Sequence, residues 1–192
     1  MKGNKRLLIA GVVAAIVVLA VPALALAAVW KDKGTNVSKF VEFAAIGGEL
    51  FETTEKVGEE EKVKGGMSCE VRAVFTTEGG STGKVTKFEI KKCPTGFGEF
   101  AGCELSTAEA KGLPWTVDVN ATDLTITNMR TKRTFKAGCK TTELDKTITS
   151  TTVTLESASE INEMSFSGST TGYKTNGTIT VEGTNNKTYG IG

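Results

Sequence analysis

Cysteine is the residue type in this chain whose chemistry is most constrained. The four cysteines are Cys69, Cys93, Cys103 and Cys139. A zinc site would need closely spaced cysteine or histidine ligands, but no Cys-x-x-Cys occurs and the chain contains no histidine. An even number of cysteines downstream of an export signal is typical of a disulfide framework. We therefore predict two disulfides, no metal and no cofactor.

Sequence alone permits three ways of pairing four cysteines. The nine residues between Cys93 and Cys103 include three glycines, so this segment can bend enough to bring its ends together. We therefore expect a Cys93–Cys103 bond, which leaves Cys69–Cys139 to join an early strand to a later one. On the chain-entropy account, the two crosslinks would contribute about 3 and about 4.5 kcal/mol to stability.

Catalytic groups are sparse, because a chain without histidine lacks the commonest general base and the usual Ser-His-Asp triad. A pair of carboxylates could still act as in glycosidases, which have no sequence motif. Asp118 and Asp123 flank a predicted hairpin, and Glu99 and Glu104 flank the last part of the glycine-rich segment. Ordinary exposed acids explain these residues better, so we predict no enzymatic activity. A carboxylate-dependent hydrolase is kept as the third hypothesis.

Aromatic side chains offer the one specific binding chemistry that the sequence leaves open. Exported β-sandwiches that bind glycans present aromatic faces beside polar groups. The candidate ligand-binding residues here are Trp115, Tyr173 and Tyr189, together with Phe97 and Phe100 between two cysteines. Aromatic residues make up only 7% of the chain, so most of them are expected in the core. Exposure of one of the first three on a concave face would distinguish a glycan-binding module.

Net charge argues against nucleic acid as a partner. The chain has 23 basic and 22 acidic residues, and loss of Lys2, Lys5 and Arg6 with the leader leaves 20 against 22. Such a near-neutral domain has no electrostatic attraction to phosphate backbones or to anionic lipid. We predict contact with a membrane only through the N-terminal segment, if that segment is not cleaved. Cell-wall polysaccharide and another protein remain as partners.

The N-terminus has the three parts of a secretory signal peptide. Basic residues are followed by an unbroken apolar run over residues 7–21 and then by small residues. Ala25-Leu26-Ala27 fits the small-x-small pattern of signal-peptidase sites, so we predict a cleaved, hydrophobic signal helix in residues 1–27. The alternative is an uncleaved anchor, since residues 7–30 are long enough to span a bilayer. Either outcome predicts an extracytoplasmic protein, secreted or held in the cell envelope.

The rest of the chain alternates with the period of β-strands. Met67, Cys69, Val71, Ala73 and Phe75 would share one face of a strand, with mainly polar residues between them. Turn sequences separate about eleven short segments of this kind, and threonine, which favours the extended chain, is abundant. We therefore predict an all-β fold, an antiparallel β-sandwich of about ten strands. A jelly-roll or a closed β-barrel is the alternative.

Two charged segments interrupt this pattern. Residues 28–36 contain Lys-Asp-Lys-Gly-Thr-Asn and predict a polar tether, which leaves residues 37–192 as a single disulfide-stapled β domain. Residues 54–66 contain three consecutive glutamates among lysines and glycines. Because such a run has little apolar surface to bury, we interpret it as a solvated loop.

Three short motifs carry a resemblance to other proteins: Ala101-Gly102-Cys103, Gly112-Leu113-Pro114-Trp115 and Thr188-Tyr189-Gly190-Ile191. From about Ser68 to its end, the chain resembles a group of exported β-rich proteins encoded in actinobacterial genomes. The resemblance implies an exported β domain with paired cysteines. It assigns no catalytic or binding residue.

Export, paired cysteines and sparse catalytic groups together favour a non-enzymatic domain of the envelope or extracellular space. We expect it to act by structure or by interaction. A glycan-binding module is the second hypothesis, and the carboxylate-dependent hydrolase is the third.

Overall fold

Segments in which apolar and polar residues alternate form long antiparallel strands in this protein. The computed structural model describes residues 28–38, 41–182 and 189–192. In the strand that contains Met67, Val71 and Phe75, these three residues are at most 1% exposed, as the alternation predicts. Strands account for 73% of the structure, and the described residues contain no helix. The prediction of an all-β, antiparallel fold is confirmed.

Twelve strands are formed by the described residues. They are β1 (Trp30–Asp32), β2 (Thr35–Asn36), β3 (Val41–Val57), β4 (Glu60–Thr77), β5 (Thr82–Gly98), β6 (Leu105–Lys111), β7 (Trp115–Val119), β8 (Asp123–Phe135), β9 (Glu143–Leu155), β10 (Glu163–Thr170), β11 (Tyr173–Val181) and β12 (Tyr189–Ile191). The predicted signal peptide, residues 1–27, lies outside the described residues. Among those that are described, the structure has no helix of the length and apolarity needed to cross a membrane.

Nine strands form one sheet in the order β6-β8-β7-β5-β4-β3-β11-β10-β9. The sheet closes on itself because β8 also pairs with β9 over residues 123–134. Strands β6 and β7 follow one another along the same edge of β8, so the closed circuit is eight strands wide. It encloses one core between facing layers. The fold thus combines the two inner faces of the predicted sandwich with the closed circuit of strands of the closed-barrel alternative.

A second, three-stranded sheet covers one part of this core. Strand β1 pairs with β12 and with β2, and Trp30 of β1 is only 2% exposed. The Trp30 ring lies 5.9 Å from the Phe43 ring of β3, measured between centroids. The interpretation of residues 28–36 as a polar tether is therefore wrong. A single large apolar side chain anchors the segment, although charged residues dominate its composition.

The charged segment 54–66 is not a loop, because β3 and β4 continue through it as a hairpin. Val57 pairs with Glu60 at the tip, and Gly58 makes the turn with a φ of +69°. The prediction that this segment is solvated holds for residues 55–64, whose side chains are exposed. The hairpin extends beyond the neighbouring strands, since β11 stops pairing with β3 at Thr53 and β5 stops pairing with β4 at Gly65.

Aromatic rings fill much of the enclosed core. Phe43 stacks against Phe75 and Tyr189, with ring centroids 5.1 and 4.9 Å apart. Elsewhere in the core, Phe51 stacks against Tyr173 at 6.2 Å. An apolar cavity of about 20 Å³ remains, which is close to the size of one water molecule. Side chains just fill the interior of an eight-stranded closed sheet, and this fold conforms to that rule.

Candidate functional site

The aromatic candidates for sugar binding lie in the core. Trp115, Tyr173 and Tyr189 are 2%, 1% and 6% exposed. The hypothesis that one of these three presents a face to a ligand is therefore wrong, because each ring is covered by its neighbours. Phe100 is also buried, whereas Phe97 is 43% exposed. The alternation that predicts strands also predicts which side chains point inward, and Trp115, Tyr173 and Tyr189 lie at inward positions.

The prediction of two disulfides is confirmed, but the predicted pairing is wrong. The bonds are Cys69–Cys93 and Cys103–Cys139. Strands β4 and β5 are antiparallel neighbours, and a shift of register in their ladder places Cys69 beside Cys93 with 3.9 Å between the Cα atoms. The second bond joins the segments that precede β6 and follow β8, which are paired strands. Cross-strand register, rather than the flexibility of the intervening loop, determines which cysteines meet.

Buried charge is concentrated in one cluster inside the closed sheet, centred on Arg133 of β8 and Glu49 of β3. Both side chains are fully buried. Nη2 of Arg133 donates to both carboxylate oxygens of Glu49, at 2.7 Å each. Nη1 donates to the Thr131 hydroxyl at 2.8 Å and to the Tyr173 hydroxyl at 2.9 Å. Thr175 completes the cluster by donating to Oε1 of Glu49 at 2.7 Å.

The cluster packs against an aromatic ring and contains one hydrogen-bond donor without a partner. The guanidinium carbon of Arg133 lies 4.5 Å from the centroid of the Phe51 ring, a distance typical of cation–π contact. Nε of Arg133 is buried and has no hydrogen-bond partner. The other polar atoms of the pair are used within the cluster, and this limits the cost of burying the two charges.

Burial and charge shift the pKa values of the cluster in definite directions. Desolvation of the phenol raises the pKa of Tyr173 to about 12, although Arg133 acts in the opposite sense. Desolvation is the largest single influence and would lower the pKa of the Arg133 guanidinium, but the charges and hydrogen bonds of Glu49 and Tyr173 together outweigh it, so the pKa of Arg133 is raised. The cluster therefore holds its cation and its neutral phenol firmly at physiological pH. The ion pair at its centre presents no group to solvent.

Sequence reasoning missed this cluster because a charged residue in a strand is usually exposed. A signal was nevertheless present in the alternation. Glu49 has the same parity as Ala45 and Phe51, which are inward, and Arg133 has the same parity as Phe135. Strict alternation through β3 would have placed Glu49 in the core, and alternation counted back from Phe135 would have done the same for Arg133.

The candidate carboxylate pairs are occupied by basic or polar partners. Glu99 accepts a hydrogen bond from Thr53 and lies 3.3 Å from Nζ of Lys64. Glu104 is exposed and pairs with Lys136. No cleft with two buried carboxylates is formed by these residues. The hydrolase hypothesis gains no support from this geometry.

The Asp118 and Asp123 candidates lie at the β7–β8 turn and are half-buried. Asp123 accepts a hydrogen bond from the Asn120 side chain, which also donates to the Thr125 hydroxyl at 3.1 Å. This arrangement is typical of an Asn-initiated turn, in which the side chains satisfy one another locally. It explains Asp123 as a turn former, while Asp118 is a strand residue that pairs with Thr82 and Thr125.

The expectation that the chain contains neither a Gly-x-Ser-x-Gly nor a Ser-x-x-Lys motif is wrong. Gly79-Gly80-Ser81-Thr82-Gly83 has the Gly-x-Ser-x-Gly spacing of hydrolase nucleophiles, and Lys84 lies three residues after the serine. That spacing is catalytic when the serine lies between a strand and a helix. Here it forms the turn between β4 and β5, and Gly79 and Gly80 both adopt positive φ. No hydrogen bond joins Ser81 to Lys84 among the described residues.

Metal ligation has no candidate either within the described ranges, where no three carboxylate or cysteine side chains are grouped to hold an ion. Comparisons with protein-family models, curated proteins and solved structures return no match for this chain. The function must therefore be argued from the fold and its surfaces.

Proposed function

We propose that this protein is an exported, non-enzymatic β domain that acts outside the cytoplasm by structure or by interaction with another macromolecule. The observation that carries the proposal is a closed sheet with a packed interior, tied by two disulfides. Disulfides persist in oxidising compartments, which supports an extracytoplasmic location. The aromatic rings and the central ion pair are used in the interior, so contacts with a partner fall to the outer surface.

That outer surface is polar and carries many paired charges. Examples are Arg130 with Asp145 at 2.6 Å on β8 and β9, and Lys132 with Glu143 at 2.9 Å beside them. Such pairs keep a sheet soluble and add little stability. Among the described residues, the glycan-binding alternative keeps only Phe97 as an exposed aromatic candidate. A protein partner is therefore the better-supported occupant of the surface.

Export and binding can be tested separately. The full chain and a variant lacking residues 2–27 are expressed in a bacterial host. We expect only the full chain outside the cytoplasm, with both disulfides formed. A reduced, cytoplasmic full-length protein would contradict the proposal.

The exported protein is then co-sedimented with isolated cell walls and with insoluble polysaccharides. We expect no saturable binding that a soluble sugar displaces. Binding of that kind would contradict the protein-partner assignment and favour a glycan-binding module. A Phe97→Ala variant would then show whether the exposed ring is part of that site.

A further inference from the structure

The closed sheet has one place where neighbouring strands face each other without pairing. Strand β5 pairs with β7 only through residues 82–85, and β6 pairs only with β8. The edge of β5 over residues 86–96 and the outer edge of β6 (Leu105–Lys111) therefore lie side by side with unpaired backbone groups. We call this gap the seam. Within the described part of the chain, no backbone hydrogen bond, salt bridge or disulfide crosses it.

The seam begins where the β7 strand starts. Val85 faces Trp115 in the β5–β7 ladder, and the same register continued backwards would place Ile90 opposite Ala110. The ladder stops because Pro114 has no N–H to donate and Gly112 adopts a φ of +68°. Beyond that break, β6 remains paired with β8, and the edge of β5 that faces away from β4 has no partner strand.

Two open depressions lie along the seam. One is about 440 Å³ and the other about 500 Å³, and both are lined by residues of β5 and of β6 or its preceding segment. Their linings include apolar side chains that are only half-buried, namely Ile90, Leu105, Ala110 and Leu113. Unpaired strand edges and half-buried apolar side chains occur together here, and an added β-strand would satisfy both.

The charges on the two rims favour an occupant without charge. Lys91 on β5 would lie opposite Glu109 on β6, and Glu89 would lie opposite Lys111 in the continued register. None of these four charged side chains pairs across the seam. Glu109 pairs with Lys111 on β6, and Glu89 pairs with Lys87 on β5, at 2.9 Å. A residue between the rims would meet one cation and one anion at each level. An uncharged polar side chain is the best match to such a row.

The disulfides leave the seam free to widen. An inserted strand needs about two strand spacings, roughly 9.6 Å, between β5 and β6. Cys69–Cys93 ties β5 to β4, and Cys103–Cys139 ties the start of β6 to the segment after β8. Both bonds therefore hold a rim to its own side of the seam, and separation of the rims breaks no hydrogen bond between β5 and β6.

We propose that the seam is a strand-addition site for an extended peptide segment of a partner protein. The segment has apolar side chains at alternate positions, turned into the seam, and uncharged polar side chains between them. The stretch from Phe88 to Pro94 accommodates about seven residues, or roughly 23 Å of extended chain. This site rests on the proposed interaction role and specifies how the partner is held.

Hydrogen exchange tests whether the seam exists in the free protein. The full-length protein, purified from the compartment to which it is exported, is measured at single-amide resolution. We expect fast exchange at the amides of residues 86–96 and of β6 that do not bond to β4 or β8, and slow exchange at their neighbours. Uniform protection along both strands would mean that β5 and β6 are paired, and the proposal would fail.

Binding is measured with two pooled octapeptide libraries. In one, Val, Ile, Leu or Phe alternates with Ser, Thr or Asn, and in the other the same residues stand in apolar and polar blocks. We expect saturable binding of the alternating pool alone, with added protection of the seam amides. Equal binding of both pools, or none, would overturn the proposal. So would self-association of the free protein that buries the same amides.

A blocking variant localises the site. Ala110→Trp places a large ring in the seam and is expected to weaken binding of the alternating pool at least tenfold. Ser165→Trp, on the exposed face of β10, is the matched control and should bind as the wild type does. Unchanged binding by Ala110→Trp would place the peptide elsewhere. An exported protein that fails only these peptide tests would retain the proposed interaction role and lose the seam.

Discussion

Arg133 and Glu49 meet across the full width of the closed sheet. They lie on β8 and β3, which are four strands apart in either direction around the circuit. The guanidinium Nη2 is 2.7 Å from both carboxylate oxygens, and both side chains are fully buried. The pair therefore links opposite walls of the fold directly, between strands that do not pair with each other in the sheet. The free energy of unfolding depends on both charges being present, because either charge alone would be buried without an opposite charge to compensate it.

Removal of one member of the pair should destabilise the protein strongly. We expect Arg133→Met to reduce the free energy of unfolding by about 3–5 kcal/mol, since Glu49 is then left buried and unpaired. The double variant Arg133→Met/Glu49→Leu should recover most of that loss. Urea unfolding followed by fluorescence measures both variants. Arg130→Met is the matched control on the same strand, and because its partner Asp145 lies at the surface it should leave the unfolding curve unchanged.

Tyr173 should make the protein less stable at alkaline pH. Burial raises its pKa to about 12 in the folded state, against 10 for a free phenol. The folded protein thus keeps the proton of Tyr173 at a pH where the unfolded chain loses it. The contribution of this phenol to the free energy of unfolding is complete below pH 10 and is lost as the pH rises from 10 to 12. A difference of about two pKa units corresponds to roughly 2–3 kcal/mol.

The comparison with Tyr173→Phe isolates this effect. We expect the stability of wild type to fall more steeply than that of the variant between pH 10 and pH 12, as measured by urea unfolding at each pH. Parallel curves would show that the Tyr173 phenol titrates normally. Tyr189, whose pKa burial also raises, is present in both proteins and cancels in the comparison.

The sequence predicted strands wherever one parity stayed apolar. It did so for β4, because Met67, Val71 and Phe75 keep one face over nine residues. It could not predict features that depend on how separate strands align. In β8 the inward face changes from even to odd numbers between Ile126 and Met129, at Asn128 with its φ of 57°. This change of parity obscured the inward position of Arg133, and the unknown β4–β5 register obscured the disulfide pairing.

The Cys69–Cys93 and Cys103–Cys139 bonds give a peptide map that differs from the alternatives. Trypsin leaves Cys93 and Cys103 in one peptide, residues 93–111, with Cys69 in residues 65–72 and Cys139 in residues 137–140. Without reduction, we expect these three peptides in one linked assembly. Cleavage at Glu99 should then release two assemblies that contain residues 65–72 and 137–140 separately.

The other two pairings would give different maps. A Cys93–Cys103 bond would leave residues 93–111 free of the other two peptides. A Cys69–Cys103 bond would put residues 65–72 with the fragment that follows Glu99. On the chain-entropy account, loops of 24 and 36 residues each contribute about 3.5–4 kcal/mol, so replacing either pair by alanine should lower the free energy of unfolding measurably.

Trp30 should be essential to the fold although it lies in a mainly polar segment. Its ring is 2% exposed and packs near Phe43 and Gly83. We expect Trp30→Ala to reduce the free energy of unfolding by about 3–5 kcal/mol, as for other buried aromatic residues. Asn36→Ala, on exposed β2, is the control and should have little effect. Equal stability of both variants in urea would indicate that residues 28–36 are a tether after all.

Adjacent glycines in β3 should respond in opposite ways to the same substitution. A Cβ on Gly47 would lie 2.0 Å from the Thr178 carbonyl oxygen and 2.7 Å from the Ile179 Cα, whereas a Cβ on Gly48 would meet nothing within 4 Å. Both obstructing atoms belong to the backbone of β11, so they cannot move aside without disturbing the β3–β11 ladder. We expect Gly47→Ala to lower the free energy of unfolding by about 1–3 kcal/mol.

Gly48→Ala should instead be neutral or stabilising, by up to about 1 kcal/mol, because alanine restricts the unfolded chain more than glycine does. Urea unfolding compares the two variants, and hydrogen exchange at β11 shows where the first one acts. Faster exchange confined to β11 and its partners would locate the strain at the predicted contact. Equal effects of the two substitutions would contradict the close approach of β3 and β11, and with it the wall that carries both Glu49 and Thr175 into the buried cluster.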